Sequence, residues 1–127
     1  MIHVSEVMSI QPRTVAPTDS LADVARVMKT LDVGLVPVTT DRQLIGVVTD
    51  RDITVRGVAE GLSPEQCLVA QIMTAEVRWC YPETSIEEAL ALMGQCRIRR
   101  LAVVDRDHVL VGVVSMSDAN RALRGAG

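Results

Sequence analysis

Phenylalanine is absent from this chain, and Trp79 and Tyr81 are its only tryptophan and tyrosine. Bases of single-stranded nucleic acid stack on aromatic rings, so they find almost no platform here. A surplus of positive charge is missing too. The net charge is −3, with 6 basic and 8 acidic side chains in residues 1–61 and 7 and 8 in residues 62–127. No basic stripe is left to neutralise a phosphate backbone, so nucleic acid is not an expected partner. No apolar run approaches the roughly 18 residues of a membrane helix. The opening Met1-Ile2-His3-Val4-Ser5-Glu6 also lacks the basic-then-apolar layout of a secretion signal. No membrane partner is expected, and the expected location is cytoplasmic. The three cysteines, Cys67, Cys80 and Cys96, form no CxxC pair, and neither His3 nor His108 stands at ligand spacing to them. A metal site is therefore not expected; half-buried or buried thiols are.

What the chain does have is a duplication. Residues 4–56 and 69–122 carry one pattern twice, offset by 65 positions at first and by 66 later. Val4-Ser5-Glu6-Val7-Met8 matches Val69-Ala70-Gln71-Ile72-Met73, and Gly46-Val47-Val48-Thr49-Asp50-Arg51-Asp52 matches Gly112-Val113-Val114-Ser115-Met116-Ser117-Asp118. A unit of this size buries only about 60% of its unfolded surface and is marginal alone. Two halves that share their burial are safer, and the 48% hydrophobic content suffices for that.

Each repeat reads as β-α-β-β-α. A short helical turn at Val4–Met8 precedes an extended piece around Arg13-Thr14-Val15-Ala16. Ser20 with Asp23 and Ser85 with Glu88 are capping-box patterns. Behind them Leu21, Val24, Ala25, Met28 and Ile86, Ala89, Leu90, Met93 form apolar stripes at helical spacing. Gly34 is expected to end the first helical region. Leu35–Val38 with Leu44–Val48, and Leu101–Val104 with Val109–Val114, read as hairpins. Their nearly continuous apolar runs predict sheets covered on both faces. A second helix runs from Asp50 to near Gly61, and Ser117–Leu123 is its counterpart. The expected architecture is an α+β fold of two pseudo-symmetric repeats packed sheet to sheet: repeat 1 at 1–61, a linker and helix start at 62–68 around Ser63-Pro64, and repeat 2 at 69–127.

Chemistry concentrates where an apolar strand ends at Thr49 or Ser115 and a helix begins. Free N–H groups and the positive dipole end at such a junction suit a phosphate, and the hydroxyl can donate to it. Asp52 and Asp118, three residues on, could accept two hydrogen bonds from the vicinal diol of a ribose. The same spacing is equally a capping box with no ligand at all. Gly46 and Gly112 weaken a strand unless something approaches the backbone closely. Pro37 cannot donate to a ladder and so interrupts pairing. A triad of Ser115, His108 and an aspartate lacks a G-x-S-x-G elbow. His108 falls in the Asp105-Arg106-Asp107-His108 turn, where a solvated side chain is expected, and no enzyme is expected.

The paired G-h-h-[ST]-x-x-D endings and the stretch GVVTDRDITVRGVAEG (46–61) resemble a tandem CBS-domain module, also called a Bateman module, of the small stand-alone bacterial type. The resemblance implies a regulatory module that senses AMP, ADP, ATP or S-adenosylmethionine in clefts between the repeats. It implies no required cofactor, a homodimer and an effector protein. It places Asp52 and Asp118 on the ribose, and Thr49 and Ser115 on phosphate with Arg51 and Ser117 close by. Thr14 and Val15, and Arg78, Trp79 and Cys80, would line the clefts. Gly34, Leu35, Val36 and Pro37, and Arg99, Arg100, Leu101 and Ala102, would flank the base. The second repeat departs from the pattern at Ala102, Met116, Arg99 and Arg100. The two arginines suit a phosphate, solvent or a salt bridge across a dimer. The alternative is a ligand-free dimeric scaffold.

Overall fold

The computed structural model describes residues 1–126; Gly127, the last position assigned to repeat 2, lies outside the described residues. The chain forms two compact units that do not coincide with the sequence repeats. A continuous unit spans Arg13–Val77, and a composite unit joins Met1–Pro12 to the chain from Arg78 onward.

In the composite unit a single 3-10 turn at Val4–Glu6 leads into β1 (Ser9–Ile10). The continuous unit contributes α1 (Leu21–Leu31), β2 (Leu35–Thr40), β3 (Gln43–Thr49), α2 (Asp50–Asp52) and α3 (Val69–Ile72). The composite unit resumes with β4 (Trp79–Cys80), α4 (Ile86–Cys96), β5 (Arg100–Val104), β6 (Leu110–Ser115) and α5 (Met116–Ala126). Its sheet runs β1-β6-β5-β4, with β4 parallel to β5 and the other pairs antiparallel. The continuous unit repeats this order in reduced form. β2 and β3 pair antiparallel, Thr74 bridges Val47 on one side, and Val15 bridges Val38 in parallel on the other.

Each repeat's opening segment therefore packs into the unit built by the other repeat. The Val4 N–H donates to the Thr84 carbonyl at 2.8 Å, and the Val69 N–H to the Asp19 carbonyl at 2.7 Å. Val4 and Val69 are both fully buried, each in its unit's core. The matched glycines sit where these segments dock. A Cβ on Gly112 would lie 2.7 Å from the Met8 sulfur and 2.8 Å from the Ser9 carbonyl. On Gly46 it would lie 2.9 Å from both the Met73 sulfur and the Thr74 carbonyl. What approaches these strands closely is another segment of the same unit.

The Ser20 box forms as the sequence predicts, whereas at α4 only the forward half is present among the described residues, with the Glu88 N–H donating to Ser85 Oγ at 3.1 Å. Ser20 Oγ accepts from the Asp23 N–H at 3.0 Å, and the Asp23 carboxylate accepts from the Ser20 N–H at 3.0 Å. That backbone N–H holds the Asp23 carboxyl below its ordinary pKa. Ends differ more. α1 stops at Asp32, which adopts a left-handed φ of 54°, two residues before Gly34. The helix expected from Asp50 to Gly61 is α-helical for only one turn, then π-helical over Ile53–Val58, where the Ala59 N–H reaches back to the Thr54 carbonyl. Ser63-Pro64 makes one turn, closed by the Cys67 N–H on the Ser63 carbonyl at 2.8 Å. It does not continue, because Leu68 is extended and bridges Ser20; α3 begins only at Val69. β3 also alternates between buried and half-exposed positions, with Leu44, Gly46 and Val48 inward, instead of being buried throughout. β5 comes closer to the expectation, being buried from Leu101 to Val104.

Pro37 explains the reduced sheet of the continuous unit. The Val15 N–H donates to the Pro37 carbonyl, but Pro37 has no N–H to extend the pairing, so the contact stays a one-residue bridge. Ala102, its counterpart, pairs with a two-residue strand through Trp79.

Gly112→Ala is expected to destabilise the protein by about 1–3 kcal/mol, as overpacking does. Gly94→Ala, in α4 with nothing near its Cβ position, should instead stabilise by about 0.4–1 kcal/mol. Urea unfolding of both variants checks the pair; equal effects would contradict the docking role of Gly112.

Candidate functional site

The two strand-to-helix junctions are built alike and finished differently. In the continuous unit Thr49 caps α2: its Oγ1 accepts from the Asp52 N–H at 3.1 Å. Asp52 closes the box, with Oδ2 accepting from the Thr49 N–H at 2.9 Å. The Thr74 hydroxyl donates to the same carboxylate at 3.3 Å, and Arg56 Nε stands 3.8 Å from Oδ1. Asp52 is 8% exposed. Its oxygens are occupied by partners from its own unit.

In the composite unit Ser115 Oγ accepts from the Asp118 N–H at 3.0 Å, but among the described residues the Asp118 carboxylate accepts no bond from the Ser115 N–H. Among those residues it meets Arg121 alone, at 3.2 Å, and the Asp118 side chain is 37% exposed. The start of α5 is tied to β5 by the Met116 N–H, which donates to the Arg99 carbonyl at 2.7 Å. That bond brings Arg99 and Arg100 beside the junction. Together with Ser115, Met116, Ser117 and Asn120 they line a cavity of about 410 Å³. Among the described residues no carboxylate pairs with either guanidinium. Two permanent cations, two hydroxyls and an amide around one hollow can hold an anion.

Two further hollows flank the short first strands. One, about 370 Å³, is lined by Thr14, Val15 and the α1 side chains Asp23, Arg26 and Thr30 among others. The other, about 330 Å³, lies at the equivalent place in the composite unit and includes Trp79, Cys80, Tyr81 and Glu88.

The CBS-domain family profile matches the chain twice, over residues 4–57 and 69–125. The chain belongs to the CBS-domain family. The CBS domain-containing protein YhcV of Bacillus subtilis is 39% identical over 118 residues, covering 93% of this chain and 83% of YhcV. A crystal structure of Hypoxic Response Protein I with two coordinated zinc ions superposes with a TM-score of 0.87 at 30% identity, covering 94% of this chain and 98% of that one. CBSX2 of Arabidopsis thaliana, crystallised in complex with AMP, gives a TM-score of 0.86 at 25% identity, covering 99% and 98% of the two chains. In this CBS pair no group of three or more His, Cys, Asp or Glu able to hold a metal occurs among the described residues. No described helix is long and apolar enough to cross a membrane.

The structure gathers Arg99, Arg100, Ser115 and Ser117 around one cavity, while Asp118 lines a separate hollow with Val7, Arg121 and Ala122. Thr14, Val15 and Cys80 line neither. Val36, Pro37, Leu101 and Ala102 are buried, Val36 and Leu101 in the two cores. Arg51 and Arg78 are exposed, and Leu35 is half-exposed. Asn120 was not singled out by sequence; its three-residue spacing from Ser117 on one helix face is the signal that identifies it. His108 is not a solvated turn residue. It is half-buried, with a φ of 64°, and its ring meets Trp79 edge-on at 4.9 Å. Arg106 from the same turn covers the Tyr81 ring at 3.8 Å. Burial pushes the Cys80 thiol up to about 12, so it is not a nucleophile at neutral pH.

Asp52→Ala removes a cap and orphans the Thr74 hydroxyl, and is expected to cost about 1–3 kcal/mol of stability. Asp118→Ala, whose carboxylate meets only an exposed arginine, should cost under about 1 kcal/mol. Denaturant titration of the two variants distinguishes the closed junction from the open one.

Proposed function

We propose that this CBS pair is a regulatory module that binds an adenosine-containing nucleotide without turning it over. The observation that carries the reading is the hollow beside the α5 start, where Arg99 and Arg100 face Ser115 and Ser117 with no acid pairing to them among the described residues. A phosphate there meets charge-assisted hydrogen bonds, which are about twice as strong as neutral ones. Asp118, one residue past Ser117 and half-exposed, is the acid open to a ribose diol. The AMP bound by CBSX2 supports an adenosyl ligand. The two cations favour AMP, ADP or ATP over S-adenosylmethionine, which bears a positive sulfonium. Ligand binding would act by shifting the population of packing states, read by an effector protein, with a cytoplasmic homodimer as the working form.

A ligand-free scaffold is the second reading, and the fully partnered Asp52 carboxylate favours it for the continuous unit.

Thermal and urea unfolding with AMP, ADP, ATP and S-adenosylmethionine test the proposal. A nucleotide at about 100 times its Kd should stabilise the fold by about 2.7 kcal/mol. Replacing Arg99→Ala with Arg100→Ala should weaken nucleotide binding at least about tenfold, or about 1.4 kcal/mol. If none of the four ligands shifts unfolding at millimolar concentration, the scaffold reading replaces this one.

A further inference from the structure

The equivalent place in the continuous unit carries the opposite chemistry. The Asp50 N–H donates to the Gly34 carbonyl at 3.0 Å, the same bond that Met116 makes to Arg99. Asp50 therefore stands for Met116, and Gly34 for Arg99. The Asp50 carboxylate leans over the glycine: a Cβ on Gly34 would lie 3.0 Å from Oδ2 and 3.4 Å from Cγ. An acid fills the space where the composite unit begins an arginine side chain. Its Oδ1 is held there by the Arg51 N–H at 2.9 Å.

The other donors are diminished as well. Thr54 is the counterpart of Asn120, and its hydroxyl donates to the Asp50 carbonyl at 3.1 Å. Leu35 takes the place of Arg100. Among the described residues Arg51 is the cation at this junction without an acid partner, and the Asp50 carboxylate next to it in the chain leaves that pair of residues with no net charge; Asp52 and Arg56 form their own pair. In the composite unit Asp118 and Arg121 pair likewise, which leaves Arg99 and Arg100 without an acid partner among the described residues. Like charge near a phosphate disfavours it, and opposite charge favours it.

We infer that only the composite unit holds a phosphate, and that Asp50 over Gly34 excludes one from the equivalent place in the continuous unit. This rests on the nucleotide reading above and adds to it a stoichiometry of one phosphorylated ligand per chain.

Calorimetric titration of the full chain with ADP, and with adenosine as the phosphate-free comparator, tests the inference. Wild type should bind one ADP per chain. Replacing Arg99→Ala together with Arg100→Ala should bring ADP affinity down to that of adenosine. Asp50→Asn, which keeps an acceptor for the Arg51 N–H, should raise the stoichiometry to two ADP per chain. Thermal melting without ligand verifies that the variants fold. Two ADP per wild-type chain, or a single ADP still bound by Asp50→Asn, overturns the inference and leaves the nucleotide reading standing. A wild-type site lost in Arg51→Ala but kept in the double arginine variant also overturns it. No ADP bound by any form sinks the nucleotide reading itself, and the inference with it.

Discussion

The fold depends on two short backbone pairings. Ser9 and Ile10 pair with Val113 and Gly112, and Thr74 exchanges hydrogen bonds with Val47 next to Gly46. Each pairing docks the opening of one repeat onto the strand that ends at the candidate site in the unit of the other. The chain therefore passes between the units twice, after Pro12 and after Val77. The close approach is possible only because the strand position facing the methionine thioether has no side chain. Met8 and Met73 fill the space that a Cβ would need, and their flexible thioethers suit an irregular gap.

That constraint places the chemistry. β3 and β6 are held on both edges, so their ends, Thr49 and Ser115, deliver a helix start at a defined point. The two junctions then diverge through a few side chains. Thr74 and Arg56 saturate Asp52 on one side. On the other, among the described residues, the Asp118 carboxylate meets Arg121 alone, and two arginines stand without acids. A duplicated backbone thus carries one closed junction and one open, cationic hollow. Pro37 against Ala102 makes a similar contrast at the opposite sheet edge, by removing one donor.

The repeat, the hairpins, the capped long helices and the family resemblance were legible because they rest on local patterns. Ser20 with Asp23 forms the box its spacing predicts, and Met28 and Met93 are buried as the stripes require. The exchange of opening segments was not legible. Val4–Met8 and Val69–Met73 match each other by sequence, but that equivalence does not say which copy of the rest each will join. The π-helical turn at Ile53–Val58 was missed for a like reason, since the apolar spacing of Ile53 and Val58 does not distinguish an i–i+4 from an i–i+5 ladder. His108 was misplaced because its turn is polar, whereas its ring has an indole to rest on.

Residue order by itself determined the two long capped helices, the hairpins, the duplication and the pair of hydroxyl-x-x-aspartate junctions, because capping and amphipathic stripes depend on neighbours a few positions apart. Tertiary structure alone decided which carboxylate is occupied and which cations lack a partner. Those outcomes turn on contacts such as Asp52 with Thr74 or Asp50 with Gly34, made across 22 and 16 positions of chain. Such contacts exist only after the strands have paired.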